Sequence, residues 1–148
     1  MHAREMAEDF PVIGLDSDAW EAVTLLAEHR LPGLVVTEPP DGRPHSILPA
    51  SQVVRMLVPS YVQDDPSLAG VLSESMADRV ADKLRGKTVR SLVRDDRPEL
   101  AVVNHDDTIV EVAAVMARLQ CPLAAVLENE VLVGVITASR LLQVALGR

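Results

Sequence analysis

The chain aligns with itself. Residues 12–36, VIGLDSDAWEAVTLLAEHRLPGLVV, lie over residues 102–126, VVNHDDTIVEVAAVMARLQCPLAAV, at a constant offset of 90 and without a gap. Val12, Asp16, Glu21, Ala27, Pro32 and Val36 meet identical residues at 102, 106, 111, 117, 122 and 126. The pattern agrees beyond these identities. Ile109, Val112, Ala113, Met116 and Ala117 fall on one face of a helix, and Ala19, Ala22, Val23, Leu26 and Ala27 take the same places in the first copy. Each helix is preceded by an acidic N-cap signal, DSD at 16–18 and DDT at 106–108, whose carboxylates read as caps and not as acid–base groups. A proline and a short apolar strand follow each helix.

The copies then turn differently, through TEPPDGRPHS in the first and ENE in the second. Beyond the turns SILPASQVVRML (46–57) matches GVITASRLLQVA (134–145) at an offset of 88, because the first loop is two residues longer. Each unit therefore reads strand, helix, strand, turn, strand, helix. One such unit of about 50 residues buries too little surface alone, so two must share one body. The fold class is α+β (mixed α/β): two β-α-β-β-α repeats packed as a pseudo-two-fold pair, with a connecting helix. The division runs 1–58 for the first repeat, 59–87 for the connecting helix and linker, and 88–148 for the second repeat. In the linker Asp65 is the expected N-cap, Pro66 opens the helix and Gly86 stops it. Leu68, Leu72, Met76, Val80 and Leu84 form its apolar stripe.

Composition narrows what such a body can do. Of 148 residues 48% are hydrophobic, which suffices for a core, yet the aromatics are only Phe10, Trp20 and Tyr61. The core must be aliphatic, and no aromatic platform exists for stacking nucleic-acid bases. A formal net charge of −8 argues against a nucleic-acid partner or an anionic membrane surface. Seven of the fourteen bases nonetheless cluster between positions 79 and 97. The single cysteine, Cys121, excludes an intramolecular disulfide and fits a reducing compartment. Beside Pro122, at the edge of an apolar run, it reads as a core residue. No apolar targeting segment opens the chain, and the apolar stretch 123–146 is broken by Glu128, Asn129, Glu130 and Arg140. A cytoplasmic protein without direct membrane insertion is expected.

Catalytic patterns are missing. Gly86-Lys87-Thr88 resembles the end of a phosphate-binding loop, but position 81 is alanine where that motif needs glycine, and a helix precedes it where a strand is required. His2, His29, His45 and His105 are scattered, so no metal site is expected, and no nucleophile–base pair suggests itself. The expectation is that the protein is not an enzyme.

The duplicated β-α-β-β-α unit, the acidic cap, the proline before the second strand and the GVIT-x-x-x end together resemble a tandem pair of CBS domains (a Bateman module). The resemblance spans about residues 8–58 and 88–147. It implies a regulatory module whose two repeats pack sheet to sheet and leave two clefts. Such clefts often bind adenosine-containing ligands such as AMP, ATP, NAD or S-adenosylmethionine, and such pairs commonly form homodimers that report to a transporter or enzyme partner. The family's ligand signature, Gly-x-x-Thr/Ser-x-x-Asp, places a hydroxyl on phosphate and a carboxylate on the ribose hydroxyls. The second copy matches at Gly134 and Thr137 but carries Arg140 in place of the aspartate; the first carries Ser46, Pro49 and Gln52.

Carried onto this sequence, the resemblance gives a ligand-binding set of Thr137, Arg140, Ile136, Val103 and Pro122, to which Lys87 and Arg90 of the basic run beside the second unit are added, with a second, degenerate cleft at Pro32, Pro49 and Gln52. Thr137 can hold a phosphate or cap the helix that follows it. Arginine has donors only, so Arg140 suits a phosphate or carboxylate, or else lies over the final helix as a surface residue. Lys87 and Arg90 either complete an anion pocket with Thr137 or form a solvated run offset by Asp82, Asp95 and Asp96. The implied ligand is an adenine nucleotide or another anion. The competing expectation is an interaction adaptor with vestigial clefts. The second helices support a homodimer, because Val53, Val54, Leu57, Leu141, Leu142, Val144 and Leu146 crowd them with apolar surface.

Overall fold

A computed structural model describes residues 1–58, 64–67, 76–94 and 99–147. In chain order these hold α1 (Ala3–Met6), β1 (Val12–Gly14), α2 (Ala19–Glu28), β2 (Gly33–Glu38), β3 (Arg43–Pro49), α3 (Ala50–Leu57), α4 (Met76–Leu84), α5 (Val89–Leu92), β4 (Ala101–Asn104), α6 (Ile109–Leu119), β5 (Leu123–Glu128), β6 (Val131–Thr137) and α7 (Ala138–Ala145). The duplicated strand–helix–strand–strand–helix order is as the alignment predicts.

Both sheets are built alike. β1 runs parallel to β2, and β2 pairs antiparallel with β3; β4, β5 and β6 repeat this arrangement. Even the register shift recurs at the equivalent place, between Val36 and Thr37 and between Val126 and Leu127. The helix starts follow local chemistry. Asp18 accepts from the Trp20 amide at 2.9 Å and caps α2. In the second copy Thr108, and not an aspartate, caps α6 by accepting from the Glu111 amide. Asp107 instead accepts from the Asn104 amide at 2.9 Å.

Two aliphatic clusters make the core, one per unit, and they are joined across the sheets. Val35 and Ile47 of the first unit bury into the second unit's cluster, and Phe10 packs against both. The sheet-to-sheet packing implied by the repeats is therefore realised.

The leading segment of each repeat packs on the other repeat. Ala3 and Met6 of α1 are fully buried in the second unit's cluster, while Val89 and Leu92 of α5 belong to the first unit's cluster. The Ala3 and Arg4 amides donate to the carbonyls of Asp107 and His105 at 2.8 and 2.9 Å. At the equivalent places the Val89 and Arg90 amides donate to Ser17 and Leu15, both at 2.8 Å. Glu8 then forms an antiparallel bridge with Val135 of β6. A sequence boundary at 88 thus follows the alignment of the copies, whereas by packing α5 lies on the first unit and residues 2–8 on the second.

The linker contributes α4, which contacts α2 and α3 and buries Leu84 in the first unit. Gly86, at φ +69°, stops it as expected. Leu68, Leu72, the Met76 side chain, Asp95 and Asp96 lie outside the described residues. The second helices differ in burial. α3 buries Gln52, Val53 and Leu57, while α7 buries no side chain completely. Leu142 and Leu146 stand 61% and 70% exposed, and Val54 59%.

Candidate functional site

An open cleft of about 510 Å³ lies between the repeats, lined by Pro32, Ile47, Pro49, Ala50 and Ser51 of the first and Gln120, Cys121 and Pro122 of the second. Its two sides are built by equivalent contacts. The Pro32 carbonyl accepts from the Ala50 amide, and the Pro122 carbonyl from the Ala138 amide, both at 2.9 Å. Each proline therefore ties the turn after a first helix to the start of a second helix. Arg30 and Gln120 end the turns before them at φ +53° and +50°. The lining is mostly apolar, with the Ser51 hydroxyl and the Gln120 amide as its polar groups; Cys121 is a buried free thiol, as its apolar context predicts.

The structure redistributes the expected site residues. Pro122, expected in one cleft, and Pro32 and Pro49, expected in a second, all line this cleft. Val103 and Ile136 are 3% and 0% exposed within the second unit's core. Lys87 and Arg90 sit on the first unit, away from the helix that Thr137 starts. The Lys87 carbonyl accepts from the Ala19 amide, and Arg90 forms an exposed ion pair with Asp16 at 3.0 Å. The offsetting acid for Arg90 is thus Asp16, while Asp82 pairs with Arg85. Among the described residues no hydrogen bond or ion pair joins either basic residue to Thr137.

Thr137 is the N-cap of α7 and accepts from the Arg140 amide at 3.1 Å. The equivalent position in the first unit, Pro49, has no side chain able to do this. Arg140 is half-buried and turns inward, its Nε donating to the Met6 carbonyl at 3.4 Å. Gln52, 8% exposed, does the same in the first unit: its Nε2 donates to the Leu92 carbonyl at 2.6 Å. The two positions where the family signature places a carboxylate both carry a donor, and both donors hold the last carbonyl of a crossed-over helix.

Sequence reasoning missed Ser51, Gln120 and Ile47 as cleft residues, since only the pairing of the repeats brings them together. Among the described residues no group of three or more His, Cys, Asp or Glu side chains could hold a metal ion. No described helix is long and apolar enough to cross a membrane.

Residues 89–147 match the family model of the CBS domain. No curated protein matches the chain. Among solved structures the chain is similar to a CBS domain-containing protein of unknown function from Kribbella flavida, at 66% identity over 99% of each chain and a TM-score of 0.89. It shares its fold with CBSX2 in complex with AMP, at 16% identity, 99% and 96% coverage of the two chains, and a TM-score of 0.67. The CBS domain of a bacterial CNNM/CorC family Mg2+ transporter in complex with ATP gives 16% identity, 100% and 89% coverage, and a TM-score of 0.67.

Proposed function

Because this chain belongs to the CBS-domain family, we propose that it is a non-catalytic regulatory CBS pair that senses an anionic small molecule and signals to a partner protein. The observation that carries the reading is the open cleft of about 510 Å³ walled by both repeats, a volume suited to a nucleotide-sized ligand. A ligand there touches Pro32, Pro49 and Ser51 on one side and Gln120 and Pro122 on the other. Its binding free energy then favours one arrangement of the two repeats over others, which is what a sensor requires. An adenine nucleotide is the first class to test, since similar folds hold AMP and ATP. With Gln52 and Arg140 where the signature has a carboxylate, and both donating to backbone carbonyls, neither position offers the carboxylate acceptor that would read a ribose diol. The partner we propose is a transporter or enzyme in the cytoplasm.

A thermal-shift series with AMP, ADP, ATP, NAD, S-adenosylmethionine and small dicarboxylates tests this. A ligand at 100 times its dissociation constant stabilises the folded state by about 2.7 kcal/mol. Ser51→Trp, which fills the cleft, should abolish the shift. Absence of a shift with every compound would refute the sensor reading.

A second reading, an interaction adaptor working as a homodimer, is favoured by the exposed Leu142, Leu146 and Val54 on α7 and α3. Light scattering after gel filtration separates the cases: a monomer at micromolar concentration excludes the homodimer.

A further inference from the structure

We propose that Gln52 and Arg140 are positioning residues that clip the crossed-over leading segments, and that the weaker Arg140 clip leaves residues 2–8 as a strap able to release from the second unit. The two clips are equivalent by position. Residues 52 and 140 are related by the offset of 88 that relates α3 to α7. Their acceptors, Leu92 and Met6, end α5 and α1, whose own bonds to the opposite unit also correspond one for one. Two such pairs, 40 and 134 residues apart in sequence, indicate a shared structural task.

The clips differ in strength. The Gln52 bond is short and buried, so its loss leaves an unsatisfied group away from water. The Arg140 bond is long and half-buried, so its loss costs less than loss of the Gln52 bond. Residues 2–8 are also held by the Ala3, Met6 and Ala7 side chains, by the His2–Thr108 bridge, and by backbone bonds from the Ala3, Arg4 and Glu8 amides and from the Val135 amide to Glu8. Opening of so short a segment can be local, without unfolding of the second unit.

The same geometry accounts for the departures from the family signature. A carboxylate offers only acceptors and would face the Met6 or Leu92 carbonyl across the distance a donor now spans. The position can read a diol or hold the leading segment, and here it holds the segment. Gly134 serves the strap as well: a Cβ at this residue would lie 2.8 Å from the Ala7 Cβ and 3.2 Å from the Glu8 carbonyl oxygen.

Amide hydrogen exchange on the full chain tests the proposal without any ligand. In the native protein the Ala3, Arg4 and Glu8 amides should exchange faster than those of Val89 and Arg90. Arg140→Ala and Arg140→Asp should speed the strap amides by on the order of tenfold while the Val112 amide in α6 stays protected. Arg140→Gln, which supplies the first unit's own donor, should retain native protection within about threefold. Gln52→Ala should instead speed Val89, Arg90 and Val93. The proposal fails if Arg140→Ala leaves the strap unchanged, if Arg140→Gln is as fast as Arg140→Asp, or if the native strap exchanges no faster than α5. Should Gln52→Ala not fold, the Arg140 series alone decides.

Discussion

Replacing Leu92 with alanine puts the crossed-over packing to a direct test, because Leu92 follows the linker in sequence yet sits 1% exposed in the core of the first unit. Its cluster draws buried residues from β1, α2, β2, β3, α3 and α4, so the site cannot easily collapse. A buried Leu→Ala change of this kind costs about 2–5 kcal/mol. For a chain of this length each kcal/mol lowers the melting temperature by about 2–4 °C, so the expected drop is roughly 4–20 °C. Trp20, the single tryptophan, lies on α2 and reports the first unit in urea unfolding. The midpoint should fall with the slope unchanged. Hydrogen exchange should then show protection lost first at Ile13, Leu34, Val36 and Leu48, which share its cluster in β1–β3. A cost below about 1 kcal/mol, which is ordinary for a surface substitution, would refute the reasoning. So would protection lost in β4–β6 with β1–β3 untouched.

Further consequences follow from single contacts. Gly134→Ala should destabilise by about 1–3 kcal/mol, since the new methyl meets the backbone and Cβ of residues 7 and 8; thermal melts that match the native protein would contradict the close approach. Thr137→Ala removes the α7 cap and should cost about 1 kcal/mol in urea unfolding, with helix content otherwise retained. Arg90→Ala breaks an exposed pair and should cost about 0–1 kcal/mol, less at high salt; a loss above about 2 kcal/mol would show that the guanidinium does more than meet Asp16. Glu5 is held below its ordinary carboxylate range, first by the His2 backbone N–H that donates to it at 3.0 Å. The lowered folded value means that its contribution is present above its ordinary pKa and is lost as pH falls through the lowered one. An NMR titration should find Glu5 protonating below a free glutamate, and Glu5→Gln should erase the acid sensitivity of the α1 amides.

Much of this molecule is written locally. Val12–Gly14 and Ala101–Asn104 are strands, and Ala19–Glu28 and Ile109–Leu119 are helices, because apolar spacing and capping residues within a few positions dictate them. The one local slip is instructive: in DDT the hydroxyl caps the helix and the preceding aspartate closes the turn, a choice made by which oxygen reaches the free amides. The candidate site was legible only in part. Pro32, Pro49 and Pro122 carry a visible signal, being prolines at matched positions, but that they wall one cleft depends on the docking of two units.

The sequence by itself determined that there are two copies of one β-α-β-β-α unit, which faces of their helices are apolar, and that a body with three aromatic residues needs an aliphatic core. Periodicity and self-alignment are sums over near neighbours, so they can be read without knowing the fold. The tertiary structure decided that each leading segment packs on the opposite repeat, that α4 packs on α2 and α3, and that Gln52 and Arg140 are donors to backbone carbonyls. A contact such as Arg140 to Met6 joins residues 134 positions apart. It leaves no trace in local spacing, because only the docking of the two units brings that donor and that carbonyl within reach.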